Sequence, residues 1–188
     1  FLFITADDTN QLTTHNIAEY LQYIFERIDL KRDIHFYTNT TIDTLDYSGT
    51  GLNTGSKVVF AAYGEQQRNL CTDVPTVLKE LQLFNNAQLV MPGVVALEAN
   101  KFTSQVNAQL EMTQLNEQLK SNETALASVA QIVICDDSSF VAEKLNNYLW
   151  VTYTRSNPSH DIYGINEFIL NKHWGCNGPM VVDARIKP

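Results

Sequence analysis

Short β-branched apolar runs alternate along this chain with longer stretches of helical spacing. The clearest case begins at residue 131. Gln131-Ile132-Val133-Ile134-Cys135 is a compact apolar run stopped by Asp136-Asp137, the pattern of a buried strand that ends at a sheet edge. Ser138 or Ser139 can cap a following helix, in which Val141, Leu145, Tyr148, Leu149 and Thr152 fall on one face. Pro158 cannot continue that helix. Asp161-Ile162-Tyr163 opens a second extended segment, an aromatic-rich loop follows, and a third strand runs to Ala184.

The N-terminus repeats this plan. Phe3-Ile4-Thr5-Ala6-Asp7-Asp8 answers Val133-Ile134-Cys135-Asp136-Asp137, and Tyr20-Leu21 answers Tyr148-Leu149. The stretch from Arg27 to Ile34 answers that from Arg155 to Ile162. Gly55-Ser56-Lys57-Val58-Val59-Phe60-Ala61 answers Gly178-Pro179-Met180-Val181-Val182-Asp183-Ala184. The matched order predicts a duplicated β-α-β unit over residues 2–62 and 132–184.

Within the first copy, Thr13 or Thr14 can cap a helix with Ile17, Tyr20, Leu21, Ile24, Phe25 and Ile28 on one face. A strand over 34–37, a polar loop over 38–54 and a strand over 57–62 follow. Pro75 can start a short helix reaching Leu83, Pro92-Gly93 marks a turn, and residues 94–98 read as a strand. Residues 102–130 form a helical insert, broken near Ser121-Asn122, whose stripe of Ala108, Met112, Leu115 and Leu119 suits a helix covering one face of a sheet. No Gly or Pro occurs between Gly93 and Pro158, so no flexible linker divides the chain. The expected fold is a single α/β domain over residues 1–188, with a mixed or mostly parallel sheet and helices packed on it.

A chain of 188 residues, 44% hydrophobic and 18% charged, is long enough to bury a substantial core. Thirteen basic against twenty-one acidic residues give a net charge of −8, and no basic run exceeds Lys31-Arg32. That balance argues against a nucleic-acid partner and gives no indication of membrane association. The chain starts and stops beside strands, as expected of a domain cut from a longer protein. Cys71, Cys135 and Cys176 are too few and too scattered for a disulfide framework. Unpaired thiols fit a reducing compartment, and the cytoplasm is the expected location.

The residues offer several candidates for chemistry. Asp7-Asp8 and Asp136-Asp137 stand where strands end and helices begin, the usual ligand side of an open α/β sheet, and can be imagined around a divalent cation. The plainer reading, in which one Asp of each pair favours a helix N-terminus and the other is solvated, is preferred. His173, Cys176 and Asp183 match no zinc spacing, and a Cys176 nucleophile with His173 as base would need a turn the sequence does not reveal. No glycine-rich phosphate loop follows either leading strand.

The tail, Asn171-Lys172-His173-Trp174-Gly175-Cys176-Asn177-Gly178-Pro179-Met180-Val181-Val182-Asp183-Ala184-Arg185-Ile186-Lys187-Pro188, resembles the C-terminal signature of the UbiD family of decarboxylases. The stretches from Val133 to Asp137 and from Leu149 to Pro158 look like the same family, and residues 28–34 fit one of its longer branches. The resemblance implies a parent carboxy-lyase that removes carbon dioxide without oxidation from aromatic or unsaturated acids, in ubiquinone or menaquinone biosynthesis. It implies prenylated FMN for that parent, with a divalent metal and, as a further candidate, potassium. The family's catalytic Glu-Arg-Glu set and metal ligands lie in a preceding flavin-binding domain that nothing here matches. This chain is thus expected to hold no cofactor and no metal, to supply no catalytic residue, and to be inactive alone. Its expected partners are its own flavin-binding domain and sister subunits, in a homodimer or higher homo-oligomer. In the parent, Lys172 is the candidate to approach the flavin phosphate, and His173 and Trp174 are candidates to border the substrate pocket. A different class stays open beside this one: a stand-alone α/β domain that binds a nucleotide or a protein.

Overall fold

In the computed structural model, which describes residues 1–7, 12–41, 51 and 54–187, the chain opens with β1 (Leu2–Thr5), α1 (Ile17–Arg27), β2 (Ile34–Thr40) and β3 (Gly55–Ala62). These strands form one sheet in the order β1-β3-β2, with β3 parallel to β1 and antiparallel to β2. A middle section follows: α2 (Thr76–Lys79), β4 (Asn85–Met91), β5 (Val94–Glu98), α3 (Gln105–Leu119) and α4 (Glu123–Leu126). The last third holds β6 (Gln131–Cys135), α5 (Ser138–Glu143), α6 (Leu145–Thr154), α7 (Pro158–Asp161), β7 (Ile162–Gly164), β8 (Glu167–Leu170), β9 (His173–Cys176) and β10 (Met180–Asp183). A five-stranded mixed sheet runs β4-β5-β6-β10-β7, and β8-β9 stand apart as a two-stranded antiparallel hairpin. The expected α/β class with a mixed sheet is what the chain adopts.

Strand order and direction are the same at the two ends. β10 lies between β6 and β7, parallel to the first and antiparallel to the second, as β3 lies between β1 and β2. The turn into the second strand is also shared. The Asp33 carboxylate accepts the Asp29 N–H at 2.9 Å, and that of Asp161 accepts the Asn157 N–H at 2.6 Å. Asp29 and Asn157 in turn accept the N–H two residues on, from Lys31 and Ser159. A carboxylate tied across four residues in this way closes one helical turn and releases the chain into a strand. At the third strand, however, the pairing corrects the sequence alignment by one residue. Phe60 lies opposite Phe3 and Ile34, and Val182, not Asp183, lies opposite Val133 and Ile162. The reason is burial: Val58 and Phe60 face the same core as Met180 and Val182, and a one-residue slip would turn every side chain over.

The five-stranded sheet is covered on both faces, which explains its continuous apolar runs. Val95, Leu97, Ile132, Ile134 and Val181 face Met112, Leu115 and Leu119 of α3 and Leu126 of α4. The stripe read in residues 102–130 is the buried face of α3, and a turn at 120–122 breaks the helix where expected. On the other face, Ala96, Val133 and Cys135 meet Leu21 and Phe25 of α1 and Val141, Tyr148 and Val151 of α5 and α6.

Three local expectations are revised, and one strand was not anticipated. Asn16, not Thr13 or Thr14, caps α1, its side chain accepting the Glu19 N–H while its amide reaches the Glu19 carboxylate at 2.8 Å. Asp137, not a serine, caps α5; Ser138 instead donates to the Asn86 carbonyl and Ser139 accepts from the Asn86 amide, joining α5 to β4. The single helix expected over 141–152 is two, because Lys144 is extended (φ −156°, ψ 151°) and Asn147 turns its amide to the Phe140 carbonyl. β4 was hidden by its polar start, Asn85-Asn86, which suits an edge strand.

Candidate functional site

The stretch read as an aromatic-rich loop is the β8-β9 hairpin, and it stands over a cleft of about 720 Å³. Asn171 and Lys172 form its two-residue turn, both with positive φ (52° and 67°), the backbone that matches the right-handed twist of paired strands. The hairpin is held close to the first unit: the Cys176 N–H donates to the Leu30 carbonyl at 3.1 Å. Gly175 allows that approach, since a Cβ there would lie 2.8 Å from the Lys31 carbonyl oxygen and 2.9 Å from the Phe168 ring. β9 therefore runs beside β2, and successive residues meet in pairs. His173 faces His35 with ring centroids 5.5 Å apart, and Trp174 meets Phe36 edge-on at 5.4 Å.

Lys172, His173 and Trp174 all line this cleft. Lys172 is exposed and makes no ion pair among the described residues. His173 is half-buried, and its Nε2 is shut from solvent with no hydrogen-bond partner. Trp174 is half-buried as well, packed on the core and bordering the cleft at once. The sequence reading missed the residues that other elements bring here: His35 and Tyr37 of β2, His160 of α7, and Tyr163 of β7. Three of the chain's four histidines thus share one cleft, a grouping that spacing alone conceals because they arrive from three strands or helices. His160 Nδ1 lies 2.9 Å from the Ser159 hydroxyl, and the Gln105 amide bonds both the His160 carbonyl and the Tyr163 hydroxyl, fixing this wall to α3. Burial raises the Tyr163 pKa, and the charges of Asp161, Asp183 and Glu167 push it the same way, so its hydroxyl stays protonated.

The remaining candidates lie elsewhere. Cys176 is buried and points its thiol to the Gly178 carbonyl at 3.3 Å; burial pushes its pKa up to about 12. A thiol so disfavoured as thiolate is no nucleophile. Asp183 is fully buried in a bidentate pair with Arg185, which also bonds Glu111 and the Asn100 carbonyl. Burial works against the Arg185 charge, but its bonds to Asp183 and Glu111 outweigh it and raise its pKa. His173, Cys176 and Asp183 do not converge. Of the aspartate pairs, Asp137 caps α5, Asp136 accepts the Ile186 N–H at 2.8 Å, and Asp7 accepts the Leu12 N–H at 2.6 Å; Asp8 lies outside the described residues. Among the described residues no group of three or more His, Cys, Asp or Glu is arranged for a metal ion, and no helix is long and apolar enough to cross a membrane.

Comparison with known proteins bears on the family. A family model described as the 3-octaprenyl-4-hydroxybenzoate carboxy-lyase C-terminal domain (UbiD_C) matches residues 1–62. An uncharacterised protein of Chlamydia trachomatis serovar D is 28% identical over 190 residues, covering 100% of this chain and 30% of its own length. A Chlamydia pneumoniae protein whose name makes it part of a 4-hydroxybenzoate decarboxylase is 26% identical over 191 residues, again with 100% and 30% coverage. The chain thus spans about 30% of the length of these curated relatives. The resemblance to the UbiD family read in the sequence is borne out, with the family match falling on the first unit and a relative named for a decarboxylase subunit matching along the whole chain.

Proposed function

We propose that this chain is the assembly and pocket-closing domain of a UbiD-like, non-oxidative decarboxylase of aromatic or unsaturated acids, a cytoplasmic enzyme of quinone biosynthesis, and that it is inactive alone. The observation that carries this reading is the cleft under the β8-β9 hairpin, where a lysine, three histidines and aromatic walls meet. Its donor set fits the border of a flavin and not a whole cradle. Lys172 can pair with a phosphate as a point charge and Trp174 offers a ring face, but no glycine-rich turn follows β1 or β6 to hold a dinucleotide or phosphate by backbone N–H groups. Prenylated FMN, its divalent metal and potassium would then be held by the preceding flavin-binding domain, with Lys172 near the phosphate and His173 or Trp174 beside the substrate. The cofactor would supply the electron sink for carbon dioxide loss. Val106 and Leu110, exposed on α3 at 67% and 57%, support that helix as a contact with sister subunits in a homodimer or larger homo-oligomer. The loop before Lys57, the other candidate contact, lies largely outside the described residues. We also propose that residues 2–62 and 132–184 are copies of one unit, with 102–130 inserted between them; the common strand order and aspartate-locked turn support this.

The test uses the full-length protein. Lys172→Ala should weaken flavin retention, and Trp174→Ala should impair turnover. Unchanged retention together with unchanged kinetics would remove the hairpin from the site. The chain alone should be colourless and release no carbon dioxide, and sedimentation should show a dimer or larger; tight flavin binding by the isolated chain would overturn the assignment.

A further inference from the structure

His35 and His173 set two imidazole rings side by side in the lining of the cleft. The rings come from strands of different sheets, lie 5.5 Å apart between centroids, and are inclined at 57°. An imidazole nitrogen sits about 2.0–2.1 Å from a bound zinc-like ion, so each ring centroid lies about 3.2 Å from it. Two such rings at a tetrahedral angle are then about 5.2 Å apart, close to the observed separation. His173 Nε2 is also a buried nitrogen left without a partner, which native structures seldom tolerate unless something else satisfies it. His35 is exposed on β2 and both residues line the cleft, so the solvent-facing side of the pair is that of His35, with the His173 nitrogen behind it. His160 shares the cleft but already has Ser159 beside its Nδ1.

We propose that His35 and His173 form a two-imidazole site for a divalent transition ion of the zinc, cobalt, nickel or copper type. Imidazole selects these over magnesium or calcium, which prefer oxygen. No third His, Cys, Asp or Glu completes the set among the described residues, so the remaining positions would fall, on the exposed His35 side, to water or to an oxygen of a molecule in the cleft. The site shares His173 and the cleft with the flavin reading but does not depend on that reading.

The experiment titrates the purified 188-residue chain with cobalt(II), followed by visible absorption, and with zinc by calorimetry. One ion per chain is expected. His35→Ala and His173→Ala should each weaken it roughly tenfold or more, while His15→Ala, outside the cleft, leaves it unchanged. His35 is exposed, so its variant should fold even if that of His173 does not; thermal melts check both. Absence of saturable binding, or binding that survives in the folded His35→Ala variant, overturns the proposal.

Discussion

Lys172 sits at φ 67°, at the second position of a two-residue hairpin turn where glycine is the usual occupant. A left-handed backbone costs a non-glycine residue about 1–2 kcal/mol. Lys172→Gly removes that cost but gives the unfolded chain about 0.5–1 kcal/mol more entropy to lose. The net expectation is a gain of about 0.5–1 kcal/mol, or roughly 1–4 °C in Tm for a chain of this size. The gain should appear in the global transition because β9 is tied to Leu30 and packed on β2, so the hairpin unfolds with the rest. Lys172→Ala supplies the contrast: it removes the same ammonium group but keeps the strained backbone, and should lie within about 0.5 kcal/mol of the parent chain. Asn171→Gly, at φ 52°, should gain less, because asparagine tolerates this conformation. Urea unfolding of the three variants, read by tryptophan fluorescence, measures the series. If Lys172→Gly is no more stable than Lys172→Ala, the turn is not strained and the reasoning fails. If it is more stable, the native lysine is kept at a cost in stability, as expected where a side chain serves a site.

Gly175→Ala should cost about 1–3 kcal/mol and alter Trp174 emission, since the new methyl meets the Lys31 backbone and β9 must move; an unchanged spectrum and midpoint would contradict the close approach. Arg185→Met should cost about 3–5 kcal/mol by leaving Asp183 charged and buried alone, whereas Asp183→Asn combined with Arg185→Met should cost clearly less than the sum of the two single changes; a purely additive cycle would refute the pairing. Burial raises the Asp161 pKa, with Lys187 opposing it only in part. The folded state therefore binds the Asp161 proton more tightly than the unfolded one, and this group's contribution to stability falls as pH rises from the ordinary aspartate range through the raised value. Asp161→Asn should accordingly gain on the parent chain at about pH 7 relative to about pH 4, as read by paired denaturation curves; a difference independent of pH would show that Asp161 titrates normally.

Much of the scaffold is a local property of the residues. The runs at 94–98 and 131–135 are strands because β-branched residues with two buried faces admit little else, and Ala108, Met112, Leu115 and Leu119 recur at the spacing of one helical face. The resemblance to a family, too, was legible, because a motif is linear. What local pattern did not determine is which chemistry meets in space. His35, His160 and His173 lie far apart in sequence and share a cleft only because β2, α7 and β9 pack together, through contacts that depend on a missing Cβ at Gly175 and on one hydrogen bond to Leu30. The hairpin itself escaped notice because its turn uses Asn171-Lys172 in place of a glycine pair, so the usual signal was absent. Helix caps failed for a related reason: Asn16, Asp137 and the serines beside it are equally able acceptors, and the choice among them rests on partners such as Asn86 that only the folded chain brings near. Periodicity records which face of an element is buried; it holds no record of what lies on the other side.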